Sequence, residues 1–180
     1  MFGIEPKFLF SKRNDDETQI LSYNLYREIL GDSYAPFISS IMTCRRRTES
    51  VASAMVCFPQ INFINNTEGS AQVIATDSAW RNWKTTLNTM MGMDTMQYYT
   101  GITSTDNYII ATYMGMPIID SLTPGHGSHL HVFDWNGKFL LDVSVKEDLG
   151  QVAFDSSRKI LYCIESTEGN IIRYDLSMYL

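Results

Sequence analysis

Short apolar runs, rich in β-branched and aromatic residues, alternate along this chain with clusters of Gly, Asn, Asp and Ser. Three of the runs resemble one another: Ile61-Asn62-Phe63-Ile64-Asn65, Leu130-His131-Val132-Phe133-Asp134 and Ile171-Ile172-Arg173-Tyr174-Asp175. Each ends in Asn or Asp, and the second runs straight into Asn136-Gly137, a strong short signal for a tight hairpin. Upstream of each lies a second β-rich run, a polar turn and one more short run. Downstream of the first two lie Ala71-Gln72-Val73-Ile74-Ala75 and Phe139-Leu140-Leu141-Asp142-Val143. The pattern predicts strands near 39–44, 51–57, 61–65, 71–76, 99–103, 108–114, 129–134, 138–143, 150–154, 159–164 and 170–175.

The repeating unit is therefore four antiparallel strands in sequence order. A four-stranded sheet recurring at roughly 40–50 residues is the blade of a β-propeller. The reading is all-β, with about three to four blades of a partial propeller. Residues 1–36 supply strands of a partial blade, and 37–97 form a blade with a long exit loop. Residues 98–148 form a blade with a loop inserted at 115–128, where Met116-Pro117 and Thr123-Pro124-Gly125 break regular structure. Residues 149–180 form a last blade with too little chain left for a full fourth strand. Stacked blades bury both faces of their neighbours, so Ile41, Ala52, Ala54, Ile64, Ile102, Ile110, Val132, Phe133, Val152, Leu161 and Ile172 form the expected core. Near the start, a turn is expected over Lys12 to Glu17, followed by a strand from Gln19 to Tyr26. A helix over 18–30, ending before Gly31, competes with that strand. The near-helical spacing of Trp80, Trp83, Leu87 and Met91 allows a short helix in the exit loop.

Composition narrows the function more than it names it. Apolar residues make up 44% of the 180 and charged residues 19%, which excludes wholesale disorder. A formal net charge of −6 argues against nucleic acid as a partner. The one basic run, Arg45-Arg46-Arg47, reads as a solvated turn. No apolar stretch approaches the roughly 20 residues of a membrane span. The first residues carry no signal-peptide pattern, so the sequence reads either as cytoplasmic or as a stretch of a longer exported protein. Cys44, Cys57 and Cys163 have no metal-site spacing. On adjacent strands Cys44 and Cys57 would lie at opposite ends, too far apart to bond, so buried free thiols are expected.

Candidate chemistry is sparse. His129 and His131 are two residues apart, so on a strand they face one side and could chelate a metal, with Asp120 from the same loop region. Trp80, Trp83, Tyr98, Tyr99 and His126 could form a surface for a ligand, with space-filling between blades as the alternative. Asp134, Asp155 and Asp175 recur at turn positions, where their carboxylates are expected to accept turn amides. No phosphate loop, nucleophile elbow or cofactor motif is present.

His129-Leu130-His131-Val132-Phe133-Asp134-Trp135-Asn136-Gly137-Lys138 resembles a stretch of the TolB-like six-bladed propeller proteins of bacterial cell envelopes. Gly150-Gln151-Val152-Ala153-Phe154-Asp155, Lys159-Ile160-Leu161-Tyr162 and Glu168-Gly169-Asn170-Ile171-Ile172-Arg173-Tyr174-Asp175-Leu176 resemble the segments that follow it in that family. The resemblance covers roughly residues 37–180, the C-terminal half to two-thirds of such a protein. It implies an extracytoplasmic location, and either self-association or a partner segment supplying the rest of the ring. The functional expectation is a non-enzymatic binding or scaffold module for a protein, peptide or glycan. The alternative is a metal-dependent propeller hydrolase of the lactonase type.

Overall fold

Turn-forming residues mark the reversals of the chain, and between them the backbone is extended. The computed structural model describes residues 11–14, 17–20, 40–65, 67–68, 70–76 and 92–180. The described part is all-β. A two-stranded hairpin joins β1 (Ser11–Asn14) to β2 (Glu17–Ile20). Residues 12–14 and Glu17, expected as turn, are thus strand. At residues 18–20, where a helix over 18–30 competes with a strand from Gln19, the chain is strand; residues 21–30 of both expectations lie outside the described residues.

Three antiparallel sheets follow, each taking its strands in sequence order. The first holds β3 (Ser40–Cys44), β4 (Ser50–Met55), β5 (Gln60–Asn65) and β6 (Ser70–Ala75). The second holds β7 (Met96–Ser104), β8 (Tyr108–Pro117), β9 (Ser128–Asp134) and β10 (Phe139–Val145). The third holds β11 (Leu149–Asp155), β12 (Ile160–Glu165) and β13 (Ile171–Asp175), with no fourth strand among the described residues. All eleven strands expected after residue 38 are present.

Two boundaries differ from expectation by three residues, while β4 stops two residues short, at Met55, and β10 runs on by two, to Val145. Strand β7 begins at Met96, inside the expected exit loop, and β8 continues through Gly115, Met116 and Pro117. Pro117 pairs with Met96 at the very end of the ladder, where a missing N–H costs little. The inserted segment then forms a one-turn helix, α1 (Ile118–Ser121), before Gly127 and β9.

The turns are held as the recurrent acidic residues predict. Asp134 Oδ1 accepts the amides of Asn136 (2.9 Å) and Lys138 (2.8 Å). Asp155 Oδ1 accepts those of Ser157 (3.0 Å) and Arg158 (3.1 Å), and Asp175 Oδ1 that of Ser177 (2.9 Å). These bonds favour the ionised form, so the Asp155 and Asp175 carboxyls lie below the ordinary value. For Asp155 the largest cause is the Ser157 hydroxyl, and for Asp175 it is the Ser177 side chain.

Burial follows strand alternation. On the second sheet, Ile109, Ala111 and Phe133 face the first sheet and pack on Ala52, Ala54, Ile61 and Phe63. The opposite parity, Ile110, Leu130 and Val132, packs on Leu149, Leu161 and Cys163 of the third sheet. The middle sheet is therefore covered on both faces. Among the expected core residues, Ile41, Val152 and Ile172 are only half-buried, because they sit on the first or last strand of their sheets. On the far face of the third sheet, Ile164 and Ile171 are exposed, Ile171 at 77%.

The first strands of successive sheets meet through small and hydroxylated side chains rather than ladder bonds. Thr43 Oγ1 and Ser104 Oγ are 2.8 Å apart, joining β3 to β7. Thr100 Oγ1 donates to the Leu149 carbonyl at 2.6 Å, and Thr112 Oγ1 reaches the Gly150 carbonyl at 3.1 Å, joining the second sheet to β11. Gly101 lies at this seam with the backbone of Gly150 against it.

Among the thiols, Cys57 and Cys163 are buried as expected, but Cys44 is exposed. It ends β3 at the basic turn, where no second layer covers it among the described residues.

Candidate functional site

Two groups of side chains on the second sheet carry the candidate chemistry. The first lies on β9 and β10. Alternation puts His129 and His131 on one face of β9, and the hairpin register sets Asp142 directly opposite His131 and Ser144 opposite His129. One ligand atom from each of His129, His131 and Asp142 lies within 4.8 Å of the others. His129 Nδ1 is 2.8 Å from Asp142 Oδ1, and both side chains are nearly half exposed.

His131 differs from His129 in being buried. Its ring stacks on Tyr113 at 4.4 Å between centroids with 22° between planes, and the edge of Phe139 closes another side at 5.3 Å. Burial lowers its pKa to about 4, against the opposing pull of Asp142, so the ring is neutral at pH 7. Its Nδ1 lies 3.2 Å from Tyr99 Oη, and that hydroxyl donates its own proton to Thr76 Oγ1 at 2.9 Å. With the tyrosine proton committed to Thr76, the hydroxyl oxygen is an acceptor, and the proton between the two groups belongs to His131 Nδ1. Nε2 is then the basic nitrogen, and it makes no hydrogen bond among the described residues. Burial also pushes the Tyr99 hydroxyl well above its ordinary pKa, which keeps it neutral.

The acidic residue joined to the histidines is thus Asp142 and not Asp120, which is exposed on α1 outside this cluster. Asp142 was findable: a hairpin folded about Asn136-Gly137 places it across from His131. The tyrosines of the expected ligand surface, Tyr98 and Tyr99, are buried at 2% and 0% exposure. Tyr98 and Tyr99 belong to the core beneath the histidines, so the space-filling alternative describes them. Trp80 and Trp83 lie outside the described residues. His126 is exposed in the loop before β9, and Asp148 pins that loop by accepting the amides of Gly125 (2.6 Å) and Gly127 (2.7 Å).

The second group surrounds a cleft of about 280 Å³ between the first and second sheets, at the end where the β5–β6 and β9–β10 turns lie. Phe63 and Trp135 give it apolar surface, and Arg45, Asn65, Glu68, Gln72 and Asn136 give it polar surface. Trp135 is fixed by Nε1 donating to the Thr105 carbonyl at 2.9 Å, and Arg45 by Nε donating to the Asp106 carbonyl at 2.8 Å. The Arg45 guanidinium lies 5.8 Å from the centroid of the Trp135 ring. The basic run is therefore not uniformly solvated: Arg46 and Arg47 are exposed, whereas Arg45 is half-buried at a junction between sheets. This cleft is not legible in the sequence, because its walls come from turns of two repeats that only the stacking of sheets brings together.

Neither a family model nor a curated protein matches the chain. Among solved structures it is similar to the extracellular domain of a B. thetaiotaomicron protein assigned to the one-component systems, with a TM-score of 0.47 and 12% identity. That match covers 81% of this chain, which spans only 15% of the length of the larger one. Among the described residues no helix is long and apolar enough to cross a membrane.

Proposed function

We propose that this protein is a non-enzymatic binding module, an arc of propeller blades whose cleft between the first two sheets holds a polar ligand of the glycan class. The observation that carries the reading is the cleft itself. An indole and a phenyl ring lie beside three carboxamides, from Asn65, Gln72 and Asn136, and the Glu68 carboxylate. Carboxamides both donate and accept, which suits the paired donor–acceptor character of sugar hydroxyls. The half-exposed Trp135 indole suits the apolar C–H face of a sugar ring, the buried Phe63 closes the floor beneath it, and a fixed aromatic with a few convergent polar groups is the usual makeup of a small-ligand site. The successive antiparallel sheets, two of four strands and one of three, joined at their first strands, support the propeller reading. The resemblance of the β9–β13 segments to TolB-like proteins supports an extracytoplasmic location.

The test is calorimetric titration of the purified chain with a panel of neutral and acidic oligosaccharides. Saturable binding that is lost in Gln72→Ala and Asn136→Ala is expected. Failure to bind any member of the panel, or binding that both variants retain, would defeat the reading. The hydrolase alternative rests on a different observation, the grouping of His129, His131 and Asp142.

A further inference from the structure

We propose that His129, His131 and Asp142 form a binding site for a transition-metal dication of the zinc type. Three features of the structure support such a site. The donor set is right: two imidazoles and one carboxylate suit zinc and its first-row neighbours, whereas calcium and magnesium take oxygen ligands. The scaffold is also right, since all three residues stand on the adjacent antiparallel strands β9 and β10, and strand register fixes their mutual placement. The third feature is the support behind His131. The chain from Thr76 through Tyr99 to His131 Nδ1 holds one tautomer and leaves Nε2 as a free lone pair. An imidazole whose second nitrogen donates to a fixed acceptor is the usual arrangement behind a metal-bound histidine. Here that partner is buried and preset, and Tyr113 stacked on the ring fixes its plane.

The size of the group is compatible with this assignment. Metal–ligand bonds of about 2.0–2.2 Å in a tetrahedral site place ligand atoms about 3.3 Å apart. The present limit of 4.8 Å closes to that by small rotations of His129 and Asp142, which are nearly half exposed and free to move while His131 stays fixed. The metal would replace the His129–Asp142 hydrogen bond. Three protein ligands leave a fourth position for water, and Ser144 Oγ, 3.5 Å from His129 Nδ1, borders the group. The site is separate from the Arg45–Trp135 cleft in its residues, so its presence or absence does not decide the glycan reading.

The test uses the full chain, stripped with a chelator and titrated with zinc chloride by calorimetry, with cobalt(II) absorption as a second readout. One zinc per chain is expected, together with the intense visible bands of four-coordinate cobalt. Asp142→Asn and His129→Ala alter half-exposed side chains and should stay folded, as circular dichroism would verify. Each should weaken zinc binding at least about tenfold. Tyr99→Phe keeps the ring but removes the acceptor, and should weaken binding by about ten- to a hundredfold. His126→Ala should leave binding unchanged. No zinc uptake by the wild type would overturn the proposal. So would uptake that persists in Asp142→Asn and His129→Ala but is lost in Cys44→Ser or His126→Ala. Unchanged affinity in Tyr99→Phe would overturn the role given to Tyr99.

Discussion

The carbonyl oxygen of Gly150 lies closer to the place a Cβ on Gly101 would occupy than any real side-chain contact allows. This is the seam between β7 and β11, where two sheets meet backbone to backbone, and the obstructing atom is main chain and cannot swing aside. Gly101→Ala should therefore force the sheets apart and cost about 1–3 kcal/mol or more. Among the described residues Gly92 has nothing within 4 Å of its Cβ position, so Gly92→Ala should stay within about 0.5 kcal/mol of wild type. Urea denaturation of the two variants gives the comparison, and equal losses would show that the seam is not tight.

Asp148 is almost fully buried, and its two carboxylate oxygens each accept one amide, from Gly125 and Gly127. Replacing it by Ala removes both charge-assisted bonds and strands two donors, at a cost of about 2–4 kcal/mol. Hydrogen exchange at Gly125 and Gly127 should accelerate far more than at Ile110 in the core. Protection that survives in the variant would show that something else holds the loop.

The three thiols should separate by reactivity. Cys44 is exposed, whereas burial raises the pKa of Cys57, and burial with the nearby Glu147 raises that of Cys163 to about 12. Thiolate is the reactive form, so iodoacetamide at pH 8 should label Cys44 first and leave the other two protected until the protein unfolds. Rapid native-state labelling of Cys163, read by mass spectrometry, would contradict its place between the second and third sheets.

The basic run should also divide. Arg45→Ala removes the bond to the Asp106 carbonyl and the contact with Trp135, and should cost about 1 kcal/mol. Arg46 is exposed, and its replacement should cost under about 0.5 kcal/mol. A denaturant midpoint equal for the two variants would count against the junction.

Asp155 gives an acid-dependent prediction. Its folded-state pKa lies below the ordinary 3.8, so the folded protein binds fewer protons than the unfolded chain as pH falls through that value. The stability it contributes is present above pH 3.8 and is lost as pH drops through the lower, folded value. The difference in urea midpoint between wild type and Asp155→Ala should be constant near neutrality and shrink below about pH 4. A difference that does not change with pH would exclude an ionised cap.

The strands after residue 38 were legible because turn residues punctuate them, as Asn136-Gly137 does between β9 and β10, and because alternation of apolar and polar positions marks their faces. The turn aspartates were legible for a related reason: a short acidic side chain after a strand has few things to bond except the next amides. Partnerships between sheets were not legible. Arg45 meets Trp135, and Tyr99 meets both Thr76 and His131, across separations that no local pattern encodes. Pro117 misled because proline marks a break in the middle of a strand but is harmless as its last residue.

Each of the three sheets is drawn from one contiguous stretch of chain, with every strand paired to its sequence neighbour. Hairpin closure therefore spans short loops, apart from the β8–β9 insertion, and the long-range seams at Thr43–Ser104 and Thr100–Leu149 need form only after the sheets exist. Such a topology lowers the entropic barrier to assembly and makes the order of assembly local first, distant second. It also makes the sheet the natural unit of gain or loss: a segment encoding one whole sheet, inserted or removed at a seam, leaves the ladders of its neighbours intact, as in other stacked-repeat architectures.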